Sequence, residues 1–270
     1  FAQPDMPLTV RDLLGVGQAE SNSIEYVREL VYTNASATVK ESTEAKENAK
    51  PESALSFELK TASVQTIAHW IPASRQIIQD AAQLQSYINA RLTYGLKLTE
   101  ELQLLFGSGI PPDLNGICIQ ATPYDDTIVT DLGVTNTTRI DHIRAAILQA
   151  RQARYAVTGI VLNPFDFAAI ELAKNTIGNY LWVTVTEGGQ ARLWRVPVIE
   201  SDNMPQDNFL VGAFKMGAQI WDREQTTIRI AEQHADFFVK NMVAILCEER
   251  IALTVYRPEA FIYGEFTPGS

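Results

Sequence analysis

The sequence predicts an α+β fold built from elongated parts. Three observations carry that prediction. Two strand-like runs, 23–39 and 55–67, flank the polar stretch Lys40–Lys50, which holds no branched aliphatic or aromatic residue; this is the pattern of a long β-hairpin with a solvated tip. A proline-free run from Ser74 to Phe106 keeps apolar residues three and four apart, so it reads as one helix about 50 Å long at ~1.5 Å per residue. The remaining strands are short and separated by helices of uneven spacing, which excludes a regular βαβ series.

The elements follow in order. Phe1–Pro7 is proline-rich and aperiodic, Leu8–Leu14 could form a turn of helix, and Gly15 and Gly17 then break it. Residues 1–29 are therefore expected to be an arm that lies on another surface. In the hairpin, Ile24, Tyr26, Val27, Val31, Tyr32 and Val39 face Leu55, Phe57 and Leu59 across the tip. A two-stranded ribbon of this kind has little core of its own and needs a partner surface. Ser74, following Pro72, is a plausible N-cap for the long helix, Gly95 is the weak point inside it, and Gly107-Ser-Gly-Ile-Pro-Pro112 ends it. Arg139–Tyr155 is a second amphipathic helix capped by Thr137 or Thr138. Ile160–Leu162 is a short buried strand, and Asn163 or Asp166 caps a third helix that runs to Lys174 with Pro164 near its first turn. Val196–Ile199, Phe209–Ala213, Ala218–Trp221, Phe238–Leu253 and Ala260–Tyr263 read as strands.

The chain has 270 residues, 46% of them hydrophobic, enough to bury a core. Its longest apolar runs, such as Met242–Cys247, fall far short of the ~20 residues that span a bilayer, and no charged n-region followed by an apolar h-region opens the chain, so no signal peptide is expected. Cys118 and Cys247 make no disulfide framework and read as buried thiols. The net charge of −10, with no dense Lys/Arg cluster, argues against a reader of nucleic-acid sequence. His69, His142 and His234 are scattered and show no metal-ligand spacing, so no metal or cofactor is expected. No phosphate-binding loop, dinucleotide fingerprint or nucleophile elbow occurs. Among paired acids, Glu100-Glu101 on a helix face and Asp125-Asp126 in a loop read as solvated. His69-Trp70 is expected at the hairpin base.

Several motifs, taken in order, resemble one family. Thr9-Val-Arg-Asp-Leu-Leu14, Lys50-Pro-Glu-Ser53, Thr66–Trp70, Gly159–Pro164, Gln219–Arg223 and the segment from Asp236 through Cys247-Glu-Glu-Arg250 to Tyr256-Arg-Pro258 resemble the major capsid proteins of tailed bacteriophages, in the group named after phage HK ninety-seven. The resemblance implies an HK ninety-seven-like capsid fold. It divides the chain into an N-terminal arm (1–29), an extended hairpin loop (30–66), a peripheral domain with a spine helix at about 74–106 (67–118), an axial domain (119–218) and C-terminal peripheral strands (219–270). It implies a shell of pentamers and hexamers around double-stranded DNA, held without sequence-specific contacts. An acidic wall would suit that content by repelling phosphate. A portal, a maturation protease and decoration proteins would be partners, with assembly in the host bacterial cytoplasm. An encapsulin-like nanocompartment that encloses a cargo enzyme would share the fold.

The resemblance also implies site residues. Some members weld their shells: a lysine of one subunit, matching Lys50, attacks an asparagine of a neighbour, matching Asn241, while a glutamate matching Glu248 takes a proton. Val39 and Leu246 match the apolar pocket, which would favour the neutral amine that the chemistry requires. Against the weld, Glu224 stands where the crosslinking relative has methionine and would hold Lys50 charged, and the hairpin tip is several residues longer. The other reading of these residues is structural: Lys50 in an exposed salt bridge, Asn241 on a buried backbone group, and Glu248 paired with Arg250 or Arg257. Arg11, Pro51, Glu52 and Arg257 are candidates for contacts between subunits.

Overall fold

The computed structural model describes residues 10–39, 50–75, 82–135, 137–173, 191–231 and 237–266. Thr9 and the residues before it, the hairpin tip at 40–49, the proposed start of the spine helix at 76–81, Lys174, Trp182 and His234 lie outside these stretches.

The chain opens with helical turn α1 (Val10–Leu13) and strand β1 (Gly15–Gln18). The hairpin follows as β2 (Ser23–Thr33) and β3 (Ala54–Ser63), antiparallel, with Ser23 opposite Ser63 and Thr33 opposite Ala54. It therefore begins inside the stretch assigned to the arm. Strand β4 (Gln65–Ser74) leads toward the long helix α2 (Ala82–Phe106). Ser74 is the last residue of β4, opposite Met242, and not the start of the helix. Gly95 has a packing reason inside α2: a Cβ there would sit 3.1 Å from the His69 ring, whose Nε2 lies 2.9 Å from the Leu92 carbonyl. That contact also places His69-Trp70 in the body of the molecule, on β4 opposite Cys247 and Leu246, and not at the hairpin base.

A mixed block follows: β5 (Thr122–Pro123), α3 (Arg139–Gln152), β6 (Gly159–Leu162), α4 (Pro164–Glu171), β7 (Arg192–Leu193), β8 (Val196–Glu200) and β9 (Asn208–Gly212). Thr138 caps α3 as expected. Its backbone N and hydroxyl both donate to the Asp141 carboxylate, at 2.9 and 2.7 Å. Asn163 caps α4, accepting from the Phe165 backbone N at 2.9 Å, with Pro164 at the first helical position. The chain closes with β10 (Ala218–Ala231), a helical turn at Phe237–Lys240, β11 (Met242–Val255) and β12 (Phe261–Glu265). The strand expected from Phe238 thus starts four residues later.

Two main sheets result. The first has the order β1-β10-β11-β4, with β1 parallel to β10 and the other pairs antiparallel. Its β11 alternates half-buried and buried residues up to Arg250 and is buried throughout Ile251–Val255, as one face and then both faces are covered. On the covered face Val243, Ile245 and Cys247 pack on Leu92 and Leu96 of α2. The second sheet, β5-β12-β9-β6-β8-β7, encloses a core of Ile143, Ile147, Ile160, Leu162, Phe167, Ile170, Phe209 and Ile262 with α3 and α4 on it. Strand β12, expected to close the same layer as β10 and β11, pairs instead with β9 and β5. Phe261 and Ile262 are both buried, one facing each core, and only a sheet covered on both sides takes such a pair.

The arm residues that are described do not wait for another surface. Val10 and Leu14 are 0% and 4% exposed within the chain's own core, and β1 extends the first sheet beside Gln219–Asp222. Apolar residues at a helical turn followed by an extendable Gly-Val-Gly stretch can dock locally when an open strand edge is offered.

Candidate functional site

The hairpin is tethered at its base and bare along its length. Arg28 donates to the Val255 carbonyl at 2.8 Å and to Gln120 at 2.6 Å, Tyr26 packs edge-on to Tyr256 at 5.4 Å, and Glu29 and Arg257 form an ion pair at 2.5 Å. From that base outward the register places Val27 opposite Leu59, the tethered Glu29 opposite Phe57 and Tyr32 opposite Leu55. Directly opposed residues share a face, so Val27, Tyr32, Leu55, Phe57 and Leu59 form one apolar stripe, each at least half exposed. Lys50, Pro51 and Glu52 are exposed in the loop that enters β3.

A second exposed apolar patch lies at the other end of the first sheet. Phe238 and Val239 are 75% and 83% exposed in the turn before β11, and Trp70, whose ring centroid is 6.3 Å from that of Phe237, is half exposed. Asn241 ends this turn with φ 52°, a left-handed conformation that asparagine tolerates better than most residues. Its carbonyl accepts from the Arg75 backbone N at 3.0 Å, and the residue as a whole is exposed.

Strand alternation then decides where the predicted acid points. Cys247 faces the spine helix, so Glu248 and Leu246 face the opposite side, Leu246 in the row of Arg229 and Trp70, Glu248 in the row of Thr227 and Ala68. Arg229 reaches both acids of that side: 3.2 Å to Glu248 and 2.8 Å to Glu224. The structural partner of Glu248 is thus Arg229, not Arg250, which donates to Asn22, nor Arg257, which holds Glu29. Asn241 and Glu248 are seven residues apart on nearly extended chain, about 23 Å at ~3.3 Å per residue. One subunit does not bring these two groups together, and any reaction joining them with Lys50 needs more than one copy.

Arg11 and Arg257 both spend their guanidinium groups within the chain. Arg11, from α1, bridges Glu100 of α2 and Asp222 of β10, the latter at 2.6 Å. This exposes a cluster that the sequence reading missed. Glu100 and Glu101 are 3% and 2% exposed, not solvated. The available signal was spacing: Glu100 stands four residues from both Leu96 and Leu104, on the apolar stripe of its own helix. Glu249, buried beside them, accepts from the Thr226 hydroxyl at 3.0 Å. Burial, reinforced by the nearby Glu100, pushes its carboxyl up to about 7. Burial likewise raises Glu100, against the pull of Arg11.

An α+β body of two sheets, a spine helix and a projecting apolar hairpin defines a class of shell proteins, and the comparisons bear on it directly. A model described as the phage capsid family matches residues 4–266, and the chain belongs to that family. Over 263 residues, 97% of this chain, it is 46% identical to the major capsid protein of Enterobacteria phage HK97, and it spans 66% of that relative's length. Among solved structures it is similar to one from Mycobacterium phage Bobi (TM-score 0.79, 16% identity, 100% of this chain and 93% of that one). It is also similar to one from Mycobacterium phage Adephagia (TM-score 0.76, 14% identity, 99% and 93%). The capsid of an empty GTA particle gives a TM-score of 0.71 at 18% identity, covering 99% and 96%. These likenesses establish the capsid fold.

Proposed function

We propose that this chain is the major subunit of an icosahedral phage shell, assembling with copies of itself into pentamers and hexamers around double-stranded DNA. The observation that carries the reading, beside family membership, is the hairpin stripe: five apolar side chains held in water on a ribbon with no core, a surface that another copy would cover. In the corresponding division, the first sheet and α2 form the peripheral domain and the second sheet forms most of the axial domain. Pro51 and Glu52, at the hairpin loop, remain contact candidates. A portal, a maturation protease and decoration proteins would complete the particle, with assembly in the host cytoplasm. Electron microscopy of the purified chain tests the shell: closed particles with five- and six-fold capsomers are expected, and Phe57→Asp should leave folded subunits that do not close. Subunits that stay monomeric at high concentration, or a variant that assembles normally, would contradict the reading.

The shell is proposed to be non-covalent. Glu248 is engaged by Arg229, and Arg229 in turn holds Glu224 beside it. The net acidic pair would keep a nearby Lys50 ammonium charged and unreactive. Denaturing electrophoresis with intact-mass analysis decides: a single monomer band supports this, and a ladder losing one ammonia per link would instead assign Lys50, Asn241 and Glu248 to an isopeptide weld.

A further inference from the structure

A cavity of about 430 Å³ lies where α1, α2, β10 and β11 meet. Strand β10 carries two register shifts there, between Asp222 and Glu224 and between Glu224 and Thr227. Bulges of this kind loosen a strand from its neighbour and re-aim side chains. They leave Thr226 bonded to Glu249 across the gap. Four carboxylates line the space from its inner wall: Glu100, Glu101, Asp222 and Glu249, each at most 8% exposed. Arg11 pairs with both Glu100 and Asp222, one positive charge against two negative ones. At the rim stand Asp12, Lys97 and Glu224, with Glu224 already held by Arg229. The charge balance inside is negative.

One oxygen identifies what is missing. Glu249 is 3% exposed, its Oε2 accepts from Thr226, and its Oε1 is buried with no hydrogen-bond partner. A buried carboxylate oxygen without a donor costs about 1–3 kcal/mol or more, so the arrangement favours a donor brought from outside. The carboxylates do not converge on a point: among the described residues, no three acidic, His or Cys side chains sit closely enough to hold a metal ion. They suit instead a compact cation with several N–H donors on a slender apolar stem, which Leu104 could flank.

We propose that this cavity is a binding site for a primary ammonium group, with Glu249 as its principal acceptor. The ammonium could come from a free aliphatic diamine or from a lysine of a neighbouring copy, and the two sources separate by experiment. The raised proton affinity of Glu249 adds a signature. At pH 6 its carboxyl is largely neutral and at pH 8 largely ionised, so binding should release a proton near neutrality and tighten as pH rises.

The test is calorimetric titration of unassembled full-length subunits with 1,4-diaminobutane at pH 8, against tetramethylammonium at matched ionic strength. The second cation carries charge but no N–H donors. Saturable binding of the diamine alone is expected, weakened about tenfold or more by Glu249→Gln and weakened also by Glu101→Gln. If assembled particles bind the diamine as subunits do, the ligand is a free amine; if assembly abolishes binding, a neighbour's lysine fills the site. Equal heats for the two cations, or unchanged affinity in both variants, would overturn the proposal. Circular dichroism of each variant guards against misfolding, and because the two carboxylates lie on different elements, one folded variant suffices.

Discussion

Arg11→Ala removes the one guanidinium that pairs with two buried carboxylates, Glu100 at 3% and Asp222 at 8% exposure. Hydrogen bonds to charged groups contribute roughly 1.5–3 kcal/mol each, and breaking a buried pair by deleting one partner costs about 3–5 kcal/mol. The arginine is itself a quarter exposed, so water relieves part of the loss and about 3 kcal/mol is expected at pH 8. Against typical domain stabilities of ~5–15 kcal/mol this is a large fraction. Burial already raises the Glu100 carboxyl, and losing the arginine raises it further. Glu100 then takes up its proton more readily as pH falls, and the penalty shrinks with it. Urea unfolding of unassembled subunits measures it, and Arg11→Met combined with Glu100→Gln and Asp222→Asn should recover most of the loss at pH 8. A single-variant cost below ~1 kcal/mol, or a cost independent of pH and unrelieved by neutralising the acids, would refute the argument.

Glu249 predicts a pH slope of its own. Its folded carboxyl sits near 7 against an ordinary 4.5, so the native state holds a proton that the unfolded chain releases. The stabilisation is full below about 4.5 and is lost as pH rises through 7, by up to ~3 kcal/mol. Thermal melts of Glu249→Gln should therefore match wild type at pH 4.5 and exceed it at pH 8.5. Gly212→Ala would place a Cβ 2.4 Å from the Phe261 ring and 3.0 Å from the Ala260 carbonyl; a loss of about 1–3 kcal/mol from overpacking is expected in denaturant titration. Asn163→Ala removes both the α4 cap and a donor to the Met204 carbonyl at 2.6 Å, costing about 1–3 kcal/mol by the same assay.

Features governed by near neighbours were legible in the sequence. A threonine cap at 137 or 138, Asn163 before Pro164, and the alternating runs that pair as β2 and β3 are each local devices, and each stands where it was read. Features governed by distant pairing were not. Nothing within residues 10–18 says that a strand edge some two hundred residues later will receive them, so the arm was read as detached. Phe261 and Ile262 carry no mark of which sheet they join. Glu100 and Glu101 looked solvated because charge was weighed before position on the helical stripe. For the candidate site, the positions of Lys50, Asn241 and Glu248 came from resemblance, but the partner of Glu248, an arginine nineteen residues upstream on the facing strand, required the register of β10 against β11.

The strand order β1-β10-β11-β4 has a consequence for synthesis. The two central strands leave the ribosome more than a hundred residues after the two flanking strands. Until about residue 255 has emerged, β1 and β4 have no ladder to join, and the hairpin already displays its apolar stripe. The first sheet therefore closes only once β10 and β11 have both emerged, through contacts of long sequence separation that form slowly. A nascent chain stalled before β10 should be protease-sensitive across β1 to β4, and the sheet should form in one late, cooperative step. If the hairpin binds other copies as proposed, that timing leaves a chain displaying its contact surface before its own body is finished.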